Sequence, residues 1–262
     1  MRSTLHNERK SFVLNPSQQA GDILIASYNV HKCVGLDRRF DPGRTIAVIN
    51  EINPDVIALQ EVDQRFGSRT GLIDMEALER RTGLKPVQVT GRRDSHGWHG
   101  NIVLARNAIA ARPQQIVLPG AEPRGAIAVD LEMPSGPLRI IAAHFGLLRH
   151  SRAKQVRAIL AAAQPKDNRP VLLMGDLNEW RTGRRSSLTG LEPTFGPLTA
   201  NVASFPARFP VWSLDRIMAN PQSLLSRLDV HDTPLARVAS DHLPIKAMIT
   251  LEQGTDNIPL VA

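Results

Sequence analysis

Cysteine is almost absent. One residue of 262, Cys33, is a cysteine, so no intrachain disulfide can form and a reducing compartment is expected. No run of 18 apolar residues occurs, which excludes a transmembrane helix of ordinary length. The opening stretch, MRSTLHNERKSFVLNPSQQAGD, has no apolar segment followed by a cleavage signal, so it does not read as a secretory leader. These absences predict a soluble, cytoplasmic protein. Aromatics are scarce, at 4%, with a single tyrosine, Tyr28. Lysine is scarce as well: 26 of the 32 basic residues are arginine, in a chain of net charge +7. Arginine grips phosphate with a planar fork, so a phosphate-bearing partner is one reading of this bias. A solvated basic surface is the other, because charge alone speaks to solubility and non-specific binding.

Apolar residues make up 42% of the chain, enough for a sizeable core. No solenoid repeat, low-complexity tract or internal linker interrupts the sequence. Residues 1–20 and 253–262 read as tails around one domain, 21–252. ILIASYN (23–29) and VIALQE (56–61) read as strands. Between them, Asp41 supplies an N-cap and Pro42 the first helical position. That helix faces Ile46, Ile49 and Ile52 inward and stops near Asn53 and Pro54. A second helix covers about 74–82. The runs 101–106, 114–119, 126–133 and 138–145 then predict an antiparallel meander. Ser151 is the expected cap of a further helix, with Ala153, Val156, Ile159 and Leu160 facing inward. PVLLMGD and PIKAMIT add strands. Two packed sheets with helices outside are the natural solution.

Polar residues recur where these strands meet loops. They are Asn29 and His31, Gln60 and Glu61, His144, Asp176 and Asn178, Asp215, and Asp241 and His242. Any one is readily a cap or a turn residue; six such clusters suggest a shared rim. Four carboxylates, few histidines and no cysteine cluster suit a hard cation, Mg²⁺ or Mn²⁺. Mg²⁺ commonly takes one or two protein carboxylates together with water and substrate phosphate, leaving other carboxylates to orient histidine and water. The set describes metal-assisted phosphoester hydrolysis.

The segments SYNVHK, ALQEVD, GNIVLAR, AAHF, LLMGDLNEW, LDRIM and ASDHLPI, in this order from Ile23 to Leu251, resemble the endonuclease/exonuclease/phosphatase superfamily. The resemblance implies a four-layer αββα sandwich. It implies Glu61 as the principal metal ligand, with Asn29 and Asp241 beside it. By the same resemblance Asp176 orients or deprotonates the attacking water, Asn178 holds the scissile phosphate, and His242 contacts that phosphate with Asp215 as its carboxylate partner. His144 resembles a second histidine found in deoxyribonucleases and lipid phosphoesterases. Glu122 then orients His144, and Arg124 reaches the phosphate. Read as an extended segment, residues 176–178 point the side chains of Asp176 and Asn178 the same way, one to the water and the other to the phosphoryl oxygen.

Asn101, Trp180, Trp212 and the loop arginines Arg92, Arg93 and Arg181 are candidate substrate contacts. The tryptophans serve as base-stacking platforms, as a lipid-facing rim, or as packing at the sandwich edge. A nucleic acid, cut with little sequence preference by a monomer, is the first substrate expected. An anionic phospholipid or an inositol phosphate is the alternative, and an inactive binding module the third.

Overall fold

The computed structural model describes residues 22–64, 67–89, 95–164, 167–198 and 202–251. The expected tails, 1–20 and 253–262, and Arg92 and Arg93 lie outside the described residues. In chain order the elements are β1 (Asp22–Asn29), α1 (Pro42–Ile52), β2 (Val56–Gln60), α2 (Met75–Thr82), β3 (Lys85–Pro86), β4 (Ile102–Ala105), β5 (Ile109–Leu118), β6 (Arg124–Met133) and β7 (Gly136–His144). They continue with α3 (Arg149–Ala162), β8 (Val171–Asp176), α4 (Glu192–Phe195), β9 (Asp215–Asn220), β10 (Leu225–Val230), α5 (Ala236–Ala239) and β11 (Ile245–Thr250).

Two sheets form, of six strands (β10-β11-β1-β2-β4-β3) and five (β5-β6-β7-β8-β9). Strand alternation sorts the side chains into three cores. Ile25, Val56, Val103, Ile127, Ile140 and Met174 meet between the sheets. Tyr28, Leu59 and Leu104 face the other way and bury α1 and α2 through Ile49 and Leu78. Ala128, Ile141 and Leu173 do the same for α3 through Val156 and Ile159. Three cores separate four layers, the expected αββα sandwich.

Local signals explain α1 and α2. Asp41 Oδ1 accepts the Arg44 amide at 2.9 Å with Pro42 behind it, and the helix ends at Asn53 in the left-handed region, φ 51°. Asp74 caps α2 in the same way, and Gly83 closes it. Two expectations need correction. The first concerns α3, which begins at Arg149, so Ser151 lies buried in its first turn and is not its cap. Its inward face carries Arg152 and Gln155 with Val156 and Ile159, while Ala153 is exposed and Leu160 only half-buried. Apolar periodicity misplaces this face because two of its buried residues are polar. The second concerns the meander, which has three strands, β5 to β7; β4 pairs with β2 in the other sheet.

Each sheet contains one parallel pair joined by a helix. β1 and β2 are linked through α1 and end in register at Asn29 and Gln60. β7 and β8 are linked through α3 and end at His144 and Asp176. In α/β units ligands bind at the carboxyl ends of parallel strands. Here both sets of ends open on the same edge of the sandwich.

Candidate active site

Asp176 is the meeting point. Its Oδ2 accepts the Asn29 amide at 3.0 Å across the gap between the sheets. His144 Nε2 stands 3.5 Å from the same oxygen and His242 Nε2 3.8 Å. β8 reaches this position through Gly175, at φ 145°, where a Cβ would sit 1.9 Å from the Ala143 carbonyl oxygen. Only glycine fits there. β9 runs alongside with Asp215 opposite Asp176. Asp215 Oδ2 accepts His242 Nδ1 at 2.8 Å and the Ser204 hydroxyl.

The electrostatics follow from burial. Removal from water raises the Asp176 carboxyl above its usual range, and the nearby Asp215 adds to the rise; the His242 charge and hydrogen bonds from Asn178 and Asn29 work against it. For His242, burial disfavours the cation, but Asp215 and Asp176 outweigh that and push the imidazole well up, so it keeps its proton at neutral pH. A protonated donor and a carboxylate poised to take a proton thus face each other.

Glu122, Arg124 and His144 form a second cluster. The Arg124 guanidinium is buried and bonds Glu122 Oε2 at 2.9 Å and the His144 ring at 2.8 Å. Glu122 Oε1 in turn accepts the Leu147 amide. The expected partners are together, with the arginine joined to both.

The segment after Asp176 is not extended, which corrects the same-side argument. Asn178 adopts φ 50°, its amide N–H donates to Asp176 Oδ1 at 2.9 Å, and its side-chain Nδ2 donates to the Phe145 carbonyl. An Asx turn, not strand alternation, therefore relates the two residues.

Asn29, Glu61 and Asp241 come from three different segments of the same rim. Asn29 Oδ1 accepts the His31 amide. Glu61 sits in the left-handed region at φ 60°; its Oε2 is buried without a hydrogen bond, and Lys32 Nζ is 3.4 Å away. Asp241 Oδ1 stands 3.8 Å from His31 Nδ1. A buried carboxylate oxygen without a hydrogen bond is a donor that suits a hard divalent cation. Among the described residues no three His, Cys, Asp or Glu side chains form a metal cage by themselves.

The substrate candidates divide. Asn101 donates to the carbonyls of Trp98, His99 and Gly125 and holds that loop to β6. Trp212 is half-exposed and stacks on Phe205, whose ring lies 4.7 Å from that of His242. Trp180 is half-exposed beneath the Arg181 guanidinium, 4.6 Å from its ring centre. Trp98 packs at the sandwich edge, its Nε1 donating to the Ile116 carbonyl.

Sequence reading missed the supports. Ser240 Oγ donates to the Asn29 carbonyl and accepts the His242 amide. Arg216 lies buried behind Asp215 and donates to the Glu179 carbonyl. Glu179 and Arg152 form a fully buried ion pair at 3.2 Å. Arg152 also donates to the Gly146 and Leu147 carbonyls, tying the loop after β7 to the loop after β8. Ser240, Arg216 and Glu179 each adjoin a motif residue, and that adjacency is the signal that could have found them.

The pattern of the Endonuclease/Exonuclease/phosphatase family matches residues 26–242. The chain belongs to that family. The uncharacterized protein YbhP of Escherichia coli K12 is 33% identical over 166 residues, which cover 59% of this chain and 64% of YbhP, a little under two thirds of its length. Mannosyl-6-phosphatase Bt3783 of Bacteroides thetaiotaomicron superposes with a TM-score of 0.64 at 16% identity, over 87% of this chain and 99% of its own. D. rerio TDP2, complexed with a single-strand DNA product, gives 0.59 at 16% identity over 87% and 98%. At such identity these two structures share the fold of this endonuclease/exonuclease/phosphatase member.

Proposed function

We propose that this chain is a Mg²⁺- or Mn²⁺-dependent phosphodiesterase. The observation that carries this reading is the convergence of Asn29, His144 and His242 on one oxygen of a buried Asp176 whose pKa is raised. A base is most effective when its pKa approaches the working pH, and burial moves Asp176 in that direction. Asp176 takes the proton of the attacking water. His242, held protonated by Asp215, donates to a phosphoryl oxygen. Arg124, anchored by Glu122 beside His144, supplies a second positive charge there. Asn178 fixes Asp176 through its backbone and keeps one side-chain N–H for the phosphate. Asn29, Glu61 and Asp241 would hold the divalent cation, which would neutralise charge on the phosphoryl oxygens. An inactive binding module has no need of this intact set.

The net charge of +7 supports a nucleic acid as the diester, cut without sequence preference. The fold hosts TDP2, seen with a DNA product, and also a sugar phosphatase, so the fold does not choose. Exposed apolar side chains around the site support an anionic phospholipid over nucleic acid or a free inositol phosphate. Purified protein is offered supercoiled plasmid, single-stranded oligonucleotide, RNA, phospholipid vesicles and inositol phosphates, each with Mg²⁺. EDTA is expected to abolish turnover. Asp176→Asn is expected to lower kcat by roughly a hundredfold or more, as loss of a general base does. Undiminished hydrolysis in metal-free buffer, or near-normal turnover by Asp176→Asn, removes the reading.

A further inference from the structure

Among the described residues, most of the large apolar side chains left in solvent lie at the edge of the candidate active site. Among the described residues eleven are exposed; eight of them sit in loops at the edge of the candidate site, and a ninth, Val238, is on α5 at the same edge. The other two, Ile109 and Val117, are on the edge strand β5. Clustering of this kind marks an interaction surface, whereas isolated exposed leucines mean nothing.

The most exposed apolar side chains at this edge lie in the loop between Phe205 and Trp212. Its base is pinned by the Phe205–Trp212 bridge and its stacked rings. Its tip bears Phe209, 69% exposed, and Val211, 66% exposed. The loop is propped from α5: Arg237 Nη1 donates to the Arg208 carbonyl, and the carbonyl of the exposed Val238 accepts the amide of the exposed Leu36. Across the site, Leu147 and Leu148 follow His144, and Trp180 follows Asn178.

Charge completes the surface. Arg38, Arg184, Arg185 and Arg208 are exposed between the same elements and Arg149 at the start of α3; none is in an ion pair among the described residues, and Arg208 lies over the Phe209 ring, 5.7 Å from its centre. The acids nearby are already matched: Asp37 and Asp41 to Arg44, and Asp232 to Arg237. Phe209, Trp180 and Trp212 can face a base or an acyl chain alike, but the aliphatic Val211, Leu36, Leu147 and Leu148 among them offer nothing to a stacked base or a phosphate backbone. Apolar tips ringed by unpaired arginine suit an interface of acyl chains below anionic headgroups.

We propose that this rim is a docking surface for an anionic phospholipid bilayer, with Phe209 and Val211 as its inserted tip, so that the active site meets a phosphodiester in the membrane plane. The substrate half of this statement rests on the phosphodiesterase reading; the binding half does not.

The test is co-sedimentation of the full chain with vesicles in EDTA, where no hydrolysis is expected. Vesicles are phosphatidylcholine alone or phosphatidylcholine with phosphatidylglycerol. The wild type is expected to bind the anionic vesicles, and Phe209→Asp/Val211→Asp to bind at least about tenfold less. With Mg²⁺ both proteins are expected to cleave soluble bis(4-nitrophenyl) phosphate equally and to melt together, which shows that the variant is folded and reports the phosphodiesterase reading separately. Wild type left in the supernatant with both vesicles, or a variant that sediments like wild type, overturns the docking surface. So does loss of plasmid binding in the variant without vesicle binding by the wild type, which would assign the rim to nucleic acid. A wild-type dimer made monomeric by the same substitutions would assign it to a second copy.

Discussion

Arg152→Met tests the strap behind the active site. Arg152 is wholly buried, and its guanidinium donates to Ser187 Oγ at 3.0 Å, Gly146 O at 3.2 Å, Leu147 O at 2.6 Å and Glu179 Oε2 at 3.2 Å. Methionine keeps most of the aliphatic stem, so little cavity opens. What remains is a buried Glu179 carboxylate without that cation. Burial raises the Glu179 pKa, but the Ser187 donors, the Arg181 amide and Arg152 more than offset this and hold it ionised. Stranding one member of a buried pair costs about 3–5 kcal/mol. In a chain of this size each kcal/mol moves the melting temperature by about 2–4 °C, so a fall of about 6–20 °C is expected by calorimetry. Arg152→Met/Glu179→Met removes both charges and is expected to lose less than the two single losses combined. A single variant melting within about 2 °C of wild type, against the 6 °C minimum, would refute the reasoning, as would strict additivity.

The proton on His242 has a pH signature. Its folded pKa is raised to about 10, because Asp215 and Asp176 outweigh the burial that opposes its charge, against about 6.5 in an unfolded chain. A raised value gives stability that is complete below about pH 6.5 and is lost as pH rises through about 10. Urea denaturation of wild type and His242→Asn is therefore expected to converge at high pH; a gap that stays constant disproves the charged assignment. Glu122→Gln, His144→Ala and their double variant are expected to show non-multiplicative losses in kcat, since Arg124 joins the two groups. Losses that simply multiply would show that they do not act as a unit.

Local chemistry made much of the fold legible. Asp41 with Pro42 and Asn53 with Pro54 bracket α1 because capping and proline sterics act within a few residues. Asp176, Asp215 and His242 stood out because buried strands have no use for polar ends. What stayed hidden depends on partners far along the chain. Arg152 meets Glu179 across 27 residues, and without that partner Val156 and Ile159 are read as inward but Arg152 and Gln155 beside them are not. Lys32 finds Glu61 only when β1 and β2 align. The turn at Asn178 was misjudged because its amide bonds back to Asp176 rather than continuing the strand. The apolar rim was invisible because Phe209 and Val211 look like any core residues until the loop is seen to leave them in water.

The hydrogen bond from Asn29 to Asp176 spans two sheets that share no strand. The candidate active site is therefore a vernier between two rulers. Each sheet carries its own set of marks, and only the interdigitated side chains between them, Ile25, Val56, Ile127 and Met174 among them, fix the offset. Protein interiors are close-packed and pass strain on rather than absorb it. A methylene gained or lost there is expected to shift one set of marks against the other, so that the proposed hydrolysis would serve as a gauge of packing in a core far from any substrate.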